Sequence, residues 1–328
     1  MALEPDDRTP EGKRDPAEID WDTLKPTYEA PGARDAAPDM PLVPDVSSPP
    51  PDNNWSWVHD NWEWEDPQEA LPAPRTRVVT EEDPLEVDVF YSMRSPYSYL
   101  SLFRLAYLNS NYNCNVNIRV IFPIAARTRS ASGKPQGGRW YYYGYSVMDM
   151  PRCGQYEGIP FRYANPDPIL QDIRPQGEAS MAVAPMEKQS YISWLTRLGG
   201  AAQLEGKTME YCLAVSPLIW GARAPLGEWP LHVADAVNSI GMDHDAVIKD
   251  IQANPDKYDA VWQKNQVDFQ MTGQGGVPTM SFGGEPFFGQ DRFNQLFWRL
   301  RQNGLTVRKE PRAPFVARPL RWPDGFGA

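Results

Sequence analysis

Four short stretches of this 328-residue chain carry residue types that can do chemistry together. The first is Ser95-Pro96-Tyr97-Ser98, where an apolar run gives way to an apolar periodic stretch. Serine at an N-cap with proline at the first helical position starts a helix. The N–H groups and the dipole of that helix end favour an anion, a thiolate included. The other use of such a serine is as a plain cap, worth about 1 kcal/mol. The second stretch is Gly276-Val277-Pro278-Thr279, ahead of a short strand. The backbone of Val277 can pair with a peptide-like ligand, or Pro278 is an ordinary strand-edge proline. The third, Gly289-Gln290-Asp291-Arg292, opens the last helix. Asp291 is a cap there or a partner for a ligand ammonium group. The fourth is the loop 130–139 (SASGKPQGGR). Its Lys134 can reach a ligand carboxylate or belong to a solvated loop.

These residues matter only if the chain brings them together. Residues 86–92 (EVDVFYS) alternate and then turn apolar, which predicts a core strand. A helix follows from Ser95 to about Ser110, then a second strand over 116–122 (VNIRVIF), ended by Pro123. Strand, helix, strand in that order predicts a parallel βαβ unit. From about Tyr141 to Gln270 the pattern is helical, with helices expected at 176–198, 204–215, 230–240, 243–251 and 255–271. Gly199-Gly200 and Gly241 read as stop signals. A strand pattern returns at 278–282, then a Gly283-Gly284 hairpin turn and residues 286–288. The last helix is expected from about Gln290 to Arg301, closed by Asn303-Gly304. A βαβ half and a ββα half, parted by helices over about 127–271, make an α/β, thioredoxin-like fold split by a large helical insertion. The domain is expected over 85–304, between an irregular tail over 1–84 and a Pro- and Arg-rich surface tail over 305–328.

The net charge of −11 sits in the first tail: residues 1–85 hold 21 acidic and 7 basic residues. The remainder is near neutral, which argues against nucleic acid as a partner. Residues 1–84 also carry 15 of the 34 prolines, so that segment is expected to be extended or disordered. Trp55, Trp57, Trp62 and Trp64 stand out within it. They are read as docking the tail onto its own domain or a second subunit, or as a motif for another protein, because tryptophan is costly to leave in water. Cys114, Cys153 and Cys212 form no C-x-x-C, which fits a reducing compartment. With no apolar leader and no run of roughly 20 apolar residues, the expectation is a soluble, cytoplasmic protein without a membrane partner. His59, His232 and His244 are isolated, so no metal site is readable, and each is taken as a surface or capping residue. Cys153 is read as a buried structural thiol near the substrate side. Tyr97, Tyr141, Tyr142, Tyr145, Phe161 and Trp220 line an aromatic-substrate pocket or simply pack the core.

RSPYSYL (94–100), GVPT (276–279) and GGEPFFGQDR (283–292), in this order, resemble the 2-hydroxychromene-2-carboxylate isomerases and kappa-class glutathione transferases. These belong to the DsbA-like branch of the thioredoxin superfamily. The resemblance covers about residues 86–303 and is most specific at its two ends. It implies that Ser95 is the serine whose hydroxyl meets the sulfur of bound glutathione. It implies a cis bond before Pro278, with the backbone of Val277 pairing with the cysteinyl part. Gln290 and Asp291 match the pair that holds the γ-glutamyl end. Where kappa-type enzymes place a lysine for the glycine carboxylate, this chain has Trp140-Tyr141-Tyr142-Tyr143, which leaves that role to Lys134 or Arg139. A homodimer is implied as well.

The chemistry that follows is glutathione-dependent. A hydroxyl donor and a helix N-terminus both favour thiolate over thiol. An isomerase would add that thiolate to a conjugated carbonyl of an aromatic substrate, allow rotation and expel it; a transferase would leave it attached. Ser95 cannot form a disulfide, so dithiol chemistry is excluded at this position. The alternative is a non-catalytic subunit or assembly factor that binds a protein through its cleft or its Trp-rich tail.

Overall fold

The computed structural model describes residues 78–123, 139–172 and 182–323, and for 139–144, 172 and 182 the backbone alone. Strand β1 (Leu85–Tyr91) leads through a tight turn into helix α1 (Pro96–Asn111), and β2 (Cys114–Val120) returns parallel to β1. Both strands start one or two residues earlier than the sequence pattern predicts. The register sets Val87 beside Val116 and Val89 beside Ile118, so the β-branched residues share one buried face.

At the far end of the chain, β5 (Thr279–Phe282) and β6 (Glu285–Phe288) form the expected hairpin, with β5 antiparallel to β1. Gly283 and Gly284 both have positive φ, as a tight hairpin turn requires. The sheet order is β2-β1-β5-β6. This mixed sheet, with α1 packed on it, is the thioredoxin-like arrangement that the sequence implied. The last helix, α8 (Phe293–Gln302), is preceded by a separate 3-10 turn at Gln290–Arg292 rather than beginning at Gln290.

The insertion contains α2 (Arg139–Glu157), α3 (Ser190–Leu204), α4 (Thr208–Trp220), α5 (Val233–Ser239), α6 (His244–Ala253) and α7 (Pro255–Gln270). Two expectations fail here. Residues 182–183 form strand β4, paired with β3 (Gln171–Asp172), so the helix expected over 176–198 is not continuous, and its α-helical part begins at Ser190. Gly199-Gly200 do not stop a helix but lie inside α3. A Cβ on Gly199 would stand 2.9 Å from Val120 Cγ2, and one on Gly200 would stand 3.3 Å from the Tyr258 carbonyl. The pair lets α3 approach β2 and α7 closely, and that packing outweighs the helix penalty of glycine. Helix α4 runs on past the expected end at 215 to Trp220, carrying Pro217 within it.

Residues 305–323 run along the outside of α1 and α8. Trp322 is buried there, stacked on Tyr112 and edge-on to Phe297. His244, expected as a surface or capping residue, is buried at the first position of α6. Its backbone N–H donates to Asn238 Oδ1 at 2.9 Å, and its ring is 3.1 Å from Asp245 Oδ1. Among the described residues, no helix is long and apolar enough to cross a membrane.

Candidate functional site at the start of the first helix

Ser95 caps α1. Its extended backbone (φ −91°, ψ 114°) turns the chain into the helix, and its Oγ accepts the Ser98 N–H at 3.1 Å. The same hydroxyl donates to the Val277 carbonyl oxygen at 3.2 Å. A hydroxyl has one proton, so with a helix N–H on one lone pair that proton is directed outward, to the segment before Pro278. The Val277–Pro278 peptide is cis, as the resemblance implied.

Each element around Ser95 is tied down. The Ser95 N–H donates to the Ser92 carbonyl at 2.9 Å, closing the turn after β1. Behind it, Trp220 at the end of α4 donates its indole N–H to the Met93 carbonyl at 2.9 Å. Beside it, Arg94 meets Asp167 through Nε at 3.2 Å and Nη2 at 3.1 Å, a two-pronged pair. Asp167 also accepts the Ile169 N–H at 3.0 Å and the Gln171 amide at 2.6 Å. The segment following α2 is thereby fastened to the residue preceding Ser95.

The Gly276-to-Thr279 segment is equally constrained. A Cβ on Gly276 would lie 2.6 Å from the tip of the Phe288 ring, so the glycine lets that ring lie against the segment. Thr279 Oγ1 donates to the Gly276 carbonyl at 2.8 Å. Val277 is half-buried against Phe90, Ile121 and Phe269. The Gly289 N–H donates to the Pro278 carbonyl at 2.9 Å, which joins the Gln290–Asp291 turn to the proline segment.

Gln290 and Asp291 differ sharply. Gln290 is buried and its amide is already engaged: Oε1 accepts from Arg104 in a short contact, and Nε2 lies 3.6 Å from Cys153 Sγ. The Asp291 side chain is 60% exposed and pairs with Arg292 at 3.3 Å. Of the two, Asp291 is the one whose side chain reaches solvent. Ser95, Val277, Pro278, Gln290 and Asp291 thus belong to one connected set of contacts. Lys134 and Trp55 to Trp64 lie outside the described residues.

Arg104 has no counterpart among the residues singled out from the sequence. It lies on α1, 4% exposed, and pairs with Glu157 at 3.3 Å. Burial pushes the Glu157 carboxyl up, and Arg104 opposes that shift. An arginine at a position flanked by Leu102, Phe103 and Leu105 is the one available signal: a cation on an apolar helix needs a partner.

Cys153 is half-buried rather than fully buried. Its thiol donates to Asp149 Oδ2 at 3.4 Å. Burial, with Asp149 adding to it, pushes that thiol up to about 11. Asp149 also accepts from Tyr97 at 2.9 Å and from Tyr145 at 3.2 Å. Of the aromatics expected to line a pocket, Trp220 is core, stacked on Phe161. Tyr145 is exposed, and the side chains of Tyr141 and Tyr142 fall outside the described residues. All three cysteines are free. Among the described residues, no group of three or more His, Cys, Asp or Glu side chains is placed to hold a metal ion.

A family model described as a DSBA-like thioredoxin domain matches residues 86–301. Among solved structures, a 2-hydroxychromene-2-carboxylate isomerase is 23% identical with a TM-score of 0.48, covering 66% of this chain and 95% of that one. A probable DsbA oxidoreductase from Streptomyces coelicolor is 14% identical with a TM-score of 0.43, covering 66% and 90%. The cytosolic disulfide reductase DsbM from Pseudomonas aeruginosa, solved with GSH, is 16% identical with a TM-score of 0.39, covering 66% and 100%. At these TM-scores the likenesses carry no argument about this chain, and its family rests on the domain match. No curated protein matches the sequence.

Proposed function

The chain belongs to the DsbA-like thioredoxin family, and on that premise we propose that it is a glutathione-dependent isomerase or transferase acting on an aromatic or conjugated electrophile. The observation that carries this reading is the Ser95 hydroxyl, capping α1 and donating to Val277 O at 3.2 Å.

In the proposed complex the ligand exchanges partners with that hydroxyl. The cysteinyl N–H of glutathione takes the Val277 carbonyl, and the Ser95 proton is released to the ligand sulfur. Oγ keeps its bond from the Ser98 N–H, so the donor stays aimed at the cleft. A hydroxyl donor and the positive end of α1 both stabilise the thiolate over the thiol, and the glutathione proton passes to solvent. The thiolate adds to the electrophilic carbon of a conjugated carbonyl, and the electron pair of the double bond moves onto the carbonyl oxygen. Rotation about the former double bond and expulsion of the thiolate complete an isomerisation. Protonation of the adduct completes a transfer.

Asp291 faces the ammonium group of the γ-glutamyl end, with Gln290 shaping the turn that presents it. The glycine carboxylate is left to Lys134 or Arg139. A cytoplasmic location and a homodimer are part of the same reading.

Calorimetric titration with glutathione is the test. Binding at or below millimolar ligand supports the proposal, and its absence sinks it. Deleting residues 1–80 separates it from the alternative of a protein-binding subunit. The glutathione site should survive the deletion, whereas an assembly factor acting through Trp55 to Trp64 would lose its partner.

A further inference from the structure

We propose that Arg104 is a positioning residue for ligand binding, holding the Gln290–Asp291 turn from inside the protein so that Asp291 faces the cleft. The inference rests on the reading of Asp291 as a ligand contact.

The guanidinium grips the turn at several points. Nη2 donates to the Gln290 main-chain oxygen at 2.8 Å and to Gln290 Oε1. Nη1 pairs with Glu157 Oε1 at 3.3 Å. The planar group lies over the Phe293 ring, 5.1 Å from its centroid, at the first residue of α8. One cation on α1 therefore touches the backbone of the turn, its first side chain and the helix that follows it.

The main-chain contact is the informative one. The Gln290 carbonyl and the Asp291 N–H belong to one planar peptide unit. Fixing that oxygen fixes the plane from which the Asp291 side chain departs. The Gln290 amide, held at Oε1 by Arg104 and at Nε2 by Cys153, keeps the turn from rolling about its own axis.

A purely structural role fits less well. A buried ion pair is weak support for stability, since apolar residues of similar volume often serve as well or better. A methionine at 104 would still pack on Phe293. It would leave the Gln290 carbonyl without its donor and Glu157 buried without its cation. Arg104 Nε and Glu157 Oε2, both buried, have no hydrogen-bond partner among the described residues, so the pair is not arranged for greatest stability.

The test compares the full-length protein with Arg104→Lys and with Arg104→Met/Glu157→Gln, the latter removing both charges so that neither is left alone. Amide hydrogen exchange at residues 290–293 and glutathione affinity by calorimetry are read in parallel. In the double variant, exchange at the turn should quicken at least about tenfold while β1 stays protected, and glutathione affinity should fall about tenfold. Thiolate absorbance per bound glutathione should not change, because Ser95 is untouched. Arg104→Lys keeps the charge pair but not the two-point grip, so it should restore stability without restoring affinity. Unchanged exchange at the turn, or exchange that quickens equally throughout the domain, overturns the proposal. So does an Arg104→Lys variant that regains affinity and stability together. If the wild type binds no glutathione, the reading of the site fails, while the exchange data still decide whether Arg104 holds the turn.

Discussion

The hydroxyl of Ser95 and the carbonyl of Val277, 182 residues apart in sequence, are joined by a hydrogen bond of 3.2 Å. The bond connects the first βαβ unit to the segment ahead of the final hairpin, the place where the proposed function puts the ligand backbone. Ser95→Ala removes the cap and the proposed sulfur donor together. The cap loss should lower stability by about 1 kcal/mol in denaturant unfolding. Bound glutathione should lose its thiolate absorbance at neutral pH while keeping most of its affinity, since Val277 and Asp291 remain. Retention of full thiolate absorbance in Ser95→Ala would remove Ser95 from the chemistry.

A second relationship supports the first. Asp167 receives both prongs of Arg94, the Ile169 N–H and the Gln171 amide, and so ties the segment after α2 to the residue before Ser95. Arg94 and Asp167 side chains are 22% and 31% exposed, so screening limits the pair itself to about 1 kcal/mol. Asp167→Ala should lower the melting temperature by a few degrees. It should weaken turnover more than stability, because the turn that aims Ser95 loses one wall. Equal loss of activity and folded protein on heating would argue for a structural effect alone.

These two contacts show what the sequence can and cannot carry. Ser95-Pro96 and Gly283-Gly284 are local signals, and the structure places the N-cap and the hairpin turn where those signals put them. The insertion is different. Gly199-Gly200 looked like a stop because glycine ends helices, yet Val120 and Tyr258, distant in sequence, supply the reason for both. The strand at 182–183 is two residues long and, among the described residues, pairs with Gln171–Asp172, too short to show a period. Leu102, Phe103 and Leu105 around Arg104 signal that the cation needs a partner, but Glu157 and Gln290 are 53 and 186 residues away, and nothing local marks them as the partners.

Thiol reactivity gives a prediction with a definite sign. Burial and Asp149 raise the Cys153 thiol from an ordinary value of 9.0 to about 11. At neutral pH it is therefore protonated and a poor nucleophile. Alkylation of Cys153 should be slow at pH 7 and should rise toward pH 11. Because the unfolded chain gives up this proton near 9 and the folded one only near 11, this group favours folding less as pH rises through that window. Cys114 and Cys212 are buried and shifted further upward, so they should stay unmodified in the native protein. A cysteine placed at 95 should behave oppositely, since the N-terminus of α1 favours its thiolate. Ser95→Cys should then be alkylated at pH 7 well before Cys153, as mass spectrometry of the modified peptides would show. Faster labelling of Cys153 would contradict both assignments.

The C-terminal segment supports the site from behind. Trp322 is 8% exposed, stacked on Tyr112 at 5.5 Å and 5.1 Å from Phe297, and its indole N–H donates to the Tyr112 hydroxyl at 3.1 Å. One residue earlier, Arg321 lies 4.3 Å over the Tyr156 ring and donates to the Tyr156 carbonyl at 3.2 Å. Tyr156 precedes Glu157, the partner of Arg104. The segment therefore anchors the end of α2, which in turn faces the Gln290 turn. Trp322→Ala removes a large buried ring and should cost about 3 kcal/mol of stability, read as a shift in the urea midpoint. Arg321→Ala leaves the core intact and loses only the hold on Tyr156. It should change stability by less than about 1 kcal/mol yet speed amide exchange at the end of α2. If Arg321→Ala leaves that exchange unchanged, the segment covers the protein without bracing α2, and Trp322 alone accounts for its attachment.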